Sequence, residues 1–171
     1  MKLLVAVAPE RYRDEELDEP LAVFKERGIG WDISSVKKGI CTGMLGAKVP
    51  ATLGFSDADP VAYDGLVIIG GAGSVPHLWG NRDLARLAGA FHSAQKPVAA
   101  ICLSPVVLAR AGILKGKKAT VFRSPDAVAE MRKGGAVLTD LPVVVDGTVI
   151  TADGPAAARA FGTAVAAALA R

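Results

Sequence analysis

Cys102 is the residue of this chain best placed to do chemistry. It ends the apolar run Val98-Ala99-Ala100-Ile101 and is followed by Leu103-Ser104-Pro105. The stretch 105–112 reads as a helix with proline in its first turn and glycine at its end. A thiol where a buried strand turns into a helix has the geometry of a nucleophile elbow, in which a sharp turn lifts the nucleophile out of the sheet. Such a turn tolerates only small neighbours, and Ala100 and Ser104 are small. The helix start offers free N–H groups and a positive dipole end, which favour thiolate over thiol. The competing reading is a core cysteine, because Cys also packs as a small hydrophobe.

Other groups could complete a site around it. Gly70-Gly71-Ala72-Gly73 follows an apolar run over 66–69. Such glycines let backbone N–H groups approach a ligand oxygen, and with the N–H of Leu103 they would form an oxyanion hole. The spacing does not reach G-x-G-x-x-G, so a dinucleotide fingerprint is weak, and a plain tight turn stays open. Glu15, Glu16, Asp18 and Glu19 form an acidic cluster whose ordinary role is a solvated helix start. A protonated carboxyl beside a thiolate would instead donate a hydrogen bond to it. His77, in the segment after the glycines, could pair with the thiol or have no partner there. His92 reads as a helix-surface residue. Cys41, among turn glycines, reads as structural.

These residues need a scaffold, and the composition bounds it. A chain of 171 residues with 51% hydrophobic and 22% charged residues suits one well-buried domain over 1–171. The net charge of +3 forms no block, which gives nucleic acid little support as a partner. No apolar stretch reaches ~18 residues, so no membrane span is expected. Two cysteines make neither a disulfide framework nor a zinc site, no metal or cofactor is indicated, and a reducing cytoplasm fits. The apolar start over 3–8 is too short for a signal peptide and reads as a strand buried on both faces.

Strands are further expected over 31–36, 66–69, 97–101 and 118–122, with shorter ones over 136–138, 143–145 and 148–150. Asp146-Gly147 joins the last two as a hairpin turn. Helices are expected over 14–27, 81–93, 105–112, 126–133 and 154–170, with Pro20 kinking the first or marking its true start. The segment 9–13 reads as a loop, and 37–60 as short strands and turns at a sheet edge. Alternating strands and helices make an α/β doubly wound sheet with a late β-hairpin. In such sheets sites form beyond the carboxyl ends of the strands, where the loop after the first strand, the glycine loop and Cys102 converge.

Five stretches in register resemble the ThiJ/PfpI (DJ-1) superfamily. They are Ala99-Ala100-Ile101-Cys102-Leu103-Ser104-Pro105, Asp14-Glu15-Glu16-Leu17 with Pro20, the run from Tyr63 to Gly71, the run from Gly112 to Thr120, and the run from Val143 to Thr151 followed by Gly154-Pro155. The resemblance implies a flavodoxin-like sheet of the class I glutamine-amidotransferase type, a homodimer or higher oligomer, and a reactive Cys102. It implies that Glu16, four residues before Pro20, is protonated and hydrogen-bonds the sulfur, and that Gly70 and Gly71 serve the oxyanion. The protease-type branch carries histidine directly after the nucleophile, where this chain has Leu103, and another branch often carries it where this chain has Phe122 and Arg123. His77 is the remaining candidate base. The implied activity is therefore cysteine-dependent chemistry on small reactive carbonyls, of the glyoxalase or deglycase kind, or peptide hydrolysis as in intracellular proteases. The alternative is a redox-sensing stress protein working through oxidation of Cys102.

Overall fold

The computed structural model describes residues 1–171. In chain order its elements are β1 (Lys2–Ala6), β2 (Glu10–Tyr12), α1 (Asp14–Glu26), β3 (Gly30–Ser35), β4 (Gly39–Gly43), β5 (Lys48–Ala51), β6 (Leu53–Gly54), β7 (Gly65–Ile68), α2 (Ser74–His77), α3 (Arg82–Ser93), β8 (Val98–Ile101), α4 (Pro105–Arg110), β9 (Lys118–Ala119), α5 (Pro125–Lys133), β10 (Val137–Leu138), β11 (Val143–Asp146), β12 (Val149–Ala152) and α6 (Ala158–Leu169). Seven strands form the main sheet in the order β11-β12-β8-β7-β1-β3-β6. All its pairs are parallel except the β11–β12 hairpin. The run β3-β1-β7-β8-β12 is the flavodoxin-like order, so the doubly wound expectation holds.

Period-2 alternation in β1 sorts its side chains onto two cores. Leu3 and Val5 join Phe24, Val67 and Phe161 under α1 and α6. Leu4 and Ala6 join Leu66, Ile68, Phe91 and Leu108 under α3 and α4. A strand covered on both faces must be apolar throughout, which is why β1, β7 and β8 stand out in the sequence. The Asn81 side chain caps α3 by accepting from the Leu84 N–H at 2.9 Å.

Several expectations are corrected. Pro20 does not mark the start of α1; it is buried in mid-helix against Gly162 of α6, where a Cβ would lie 2.7 Å from Pro20 Cα. Segment 9–13 contains β2, which pairs with β4 in a small second sheet β2-β4-β5. Within 37–60, only β6 joins the main sheet edge. The strand expected over 118–122 stops at Ala119, because its next groups find partners outside a ladder: Thr120 N–H donates to Thr151 Oγ1 and Phe122 N–H to the Cys102 carbonyl. His92 is partly buried on α3. No helix is long and apolar enough to cross a membrane.

Candidate active site

The chain leaves β1 toward β3 on one side and returns to β7 on the other, so the β1 and β7 carboxyl ends face a topological switch point. The loop after β1 and the glycine loop after β7 meet there. Arg13 N–H donates to the Gly70 carbonyl at 2.9 Å, and Gly73 N–H to the Arg11 carbonyl at 3.0 Å. Gly71 has φ +114°, and a Cβ there would sit 2.8 Å from the Tyr12 carbonyl carbon. Only glycine allows this approach and this backbone conformation.

Cys102 follows β8 in the left-handed region, with φ +64°. For a non-glycine residue this is strained, and the surroundings hold it. Its N–H donates to the Ala152 carbonyl, and its carbonyl accepts from Phe122 N–H, both at 2.9 Å. Behind it, Ser104 Oγ donates to the Ile69 carbonyl at 2.7 Å and lies 3.0 Å from Ser74 Oγ, while Trp79 Nε1 donates to the Leu103 carbonyl at 2.8 Å. The sulfur-bearing residue is 7% exposed.

Glu16 is fully buried and reaches across from α1. Its Oε2 accepts from Gly70 N–H at 3.0 Å. Its Oε1 is buried without a hydrogen bond, and the Cys102 thiol is the group beside the carboxyl. Gly70 lies between the two, where a Cβ would come within 2.6 Å of Cys102 Cβ. Burial pushes the Glu16 carboxyl up to about 7, against the opposing pull of Cys102, Gly70 N–H and Arg13. Burial, then the Glu16 carboxylate, push the Cys102 thiol up, while the N–H groups of Gly71 and Leu103 favour its thiolate. The sequence argument for a thiol lowered by a helix start is thereby corrected: α4 has only six residues, and burial outweighs it. Two negative charges side by side here are unfavourable, so the pair keeps one proton and titrates as a unit. With that proton on Glu16, the charge opposing the thiolate is gone and the carboxyl can donate to sulfur.

A cavity of about 250 Å³ opens above the sulfur, lined by Arg13, Glu16, Met44, Gly71, Ala72, Cys102, Leu103, Phe122 and Pro155. This is below the usual ~300–1,000 Å³ of drug-sized sites and suits a small molecule. The structure thus brings Cys102, Glu16, Gly71 and Leu103 together. It places Gly70 differently, because the Gly70 N–H engages Glu16 and is not free for an oxyanion. His77 is not among the lining residues; its Nε2 lies 3.1 Å from Glu10 Oε1. Cys41 is buried away from this cavity. Arg13, Met44 and Pro155 escaped the sequence reading. Arg13 lies in the loop that had to reach the switch point, the signal that could have found it. Met44 is carried in by the β4–β5 turn, which buried Asp14 anchors through Leu45 N–H at 2.8 Å and Ala47 N–H at 3.0 Å.

Comparison with known proteins agrees with this fold. The model of the DJ-1/PfpI family matches residues 1–168. An uncharacterized protein of Methanocaldococcus jannaschii is 52% identical over 164 residues, 96% of this chain and 80% of its own. The deglycase PfpI of Pyrococcus furiosus is 35% identical over 155 residues, 91% of either chain. The crystal structure of a ThiJ/PfpI domain protein from Brachyspira murdochii matches with a TM-score of 0.94 at 32% identity, covering 99% of this chain and 96% of that one. On sequence along nearly its whole length and on fold alike, the chain belongs to the DJ-1/PfpI family.

Proposed function

We propose that this protein is a cysteine-dependent enzyme acting on small reactive carbonyls, with Cys102 as nucleophile and Glu16 as the group that moves the proton. The buried Glu16–Cys102 pair at the floor of a small cavity carries this reading. Thiolate adds to the aldehyde carbon of a 2-oxoaldehyde, and the oxygen that gains the electron pair takes the Glu16 proton. The N–H groups of Gly71 and Leu103 stabilise the developing charge. Glu16, now a carboxylate, carries a proton from that carbon to its neighbour while the hydroxyl proton passes from the first oxygen to the second, leaving a thioester that water cleaves to a 2-hydroxy acid, returning the thiolate and a protonated Glu16. One thiol and one carboxyl suffice. Peptide hydrolysis additionally needs a proton delivered to a leaving amine, and no histidine lines the cavity to do it.

The test is conversion of methylglyoxal to lactate by the wild type, Cys102→Ser and Glu16→Gln. Loss in Cys102→Ser and a fall of about 10²–10⁴ in Glu16→Gln are expected. Turnover that survives Cys102→Ser, or a wild type that cleaves peptides but not carbonyls, refutes the reading. The redox alternative takes over if the wild type turns over no carbonyl while peroxide adds two oxygens to Cys102 alone, since the same N–H groups would hold a sulfinate.

A further inference from the structure

Resting on the carbonyl-enzyme reading, we propose that the cavity above Cys102 takes its substrate by a short hydrocarbon tail. Alkyl-substituted 2-oxoaldehydes are then preferred to hydroxylated or charged ones, and Met44 and Phe122 set the preference. The surface of the cavity is almost wholly apolar: Met44, Ala72, Leu103, Phe122 and Pro155 carry no polar side-chain group. The polar groups at its floor are already engaged. Glu16 is fully buried and accepts from Gly70 N–H, while the N–H groups of Gly71 and Leu103 serve the Cys102 sulfur. Arg13 donates to Glu15 through Nε at 2.7 Å and Nη2 at 3.0 Å, so its charge is balanced within the protein.

Met44 and Phe122 keep apolar surface that a ligand tail would cover, being 43% and 46% exposed. Both are held by their backbones. Met44 N–H donates to the Tyr12 carbonyl at 2.8 Å, and Phe122 N–H to the Cys102 carbonyl at 2.9 Å. A wall positioned before binding loses little freedom when a tail docks on it. Each methylene buried there favours binding about fourfold, the equivalent of about 0.8 kcal/mol. A hydroxyl or carboxylate in the same place would shed its water and find no partner. With the tail against this wall, the aldehyde carbon meets the sulfur and the addition proceeds as written above: the S–C bond forms, the carbonyl π pair goes to oxygen, and oxygen takes the Glu16 proton.

The test uses two isosteric reagents, n-propyl and 2-hydroxyethyl methanethiosulfonate. In each, the Cys102 thiolate attacks the sulfenyl sulfur, an S–S bond forms and methanesulfinate leaves with the electron pair, with Cys41→Ala as the common background. Each rate constant is divided by that of the same reagent with free 2-mercaptoethanol. The propyl-to-hydroxyethyl ratio then reads tail preference without any turnover. A ratio of about ten is expected with the native wall. It should fall about threefold in Met44→Gln and in Phe122→Ala, and hold within about 1.5-fold in Met44→Leu, which keeps an apolar wall of similar volume. In turnover, ethylglyoxal should exceed its isostere hydroxymethylglyoxal in kcat/KM. A native ratio near one, a ratio that either Met44→Gln or Phe122→Ala leaves unchanged, a Met44→Leu as low as Met44→Gln, or faster turnover of the hydroxymethyl compound overturns the proposal and leaves the carbonyl-enzyme reading intact. A protein that shows the ratio but turns over no 2-oxoaldehyde overturns the enzyme reading and leaves the apolar selectivity of the site. A Cys102 that neither reagent modifies overturns both.

Discussion

Replacing Glu16 by Gln should stabilise this protein above neutral pH while cutting the proposed turnover about 10²–10⁴-fold. The carboxyl sits at about 7 in the folded chain against an ordinary 4.5. At about 1.4 kcal/mol for each tenfold change, burying it in charged form costs about 3 kcal/mol. Between these two values the folded state holds a proton that the unfolded chain has released. Stability contributed by the neutral carboxyl is therefore present at low pH and lost as pH rises toward 7. The amide introduced by Glu16→Gln would keep the shape and the acceptor for Gly70 N–H, and it cannot ionise. Wild type and variant should be equally stable near about pH 4. By about pH 8 the variant should lead by up to about 3 kcal/mol, or roughly 6–12 °C in melting temperature for a chain of this length. Thermal and urea unfolding of the two proteins across that range measures it, and taking their difference cancels the surface carboxylates. Parallel stability curves, or a variant that loses ground as pH rises, would refute the account of Glu16 as a buried, neutralised acid.

Two more outcomes follow from packing and backbone. Because Cys102 is held at φ +64°, Cys102→Gly should be more stable than Cys102→Ala by about 1 kcal/mol, the reverse of the usual order, and urea unfolding of the pair decides it. Gly162→Ala should lose about 1–3 kcal/mol although Ala is the better helix former, because its methyl would meet the Pro20 backbone at 2.7 Å; a Gly162→Ala protein that melts higher than the wild type would sink the close α1–α6 contact.

Much of the scaffold was legible because its signals are local. Strands covered on both faces must be apolar end to end, so β1, β7 and β8 announced themselves, and with them the elbow at Cys102. Asn81 marked a helix start and Asp146-Gly147 a hairpin by their own side-chain and backbone preferences. What failed was decided by partners distant in sequence. Pro20 breaks an isolated helix, but here α6 packs against it through a glycine 142 positions later. The strand expected to reach Phe122 stops early because its backbone groups are taken by Thr151 and by Cys102 itself.

The same division runs through the candidate site. The sequence by itself determined that a thiol stands at a strand-to-helix turn, that glycines follow β7, and that acids open α1, since each is a matter of residue type within a few positions. Which of four neighbouring acids meets the thiol was not set by residue type or spacing, because it depends on the rotation of α1 over the sheet; the family resemblance alone pointed to Glu16. Only the tertiary structure buried Glu16, directed Gly70 N–H to it, left His77 with Glu10, and brought Arg13 to the cavity wall. The physical reason is burial: desolvation is a property of the whole fold, and it turns one carboxyl of an ordinary acidic cluster into a group that keeps its proton near neutrality.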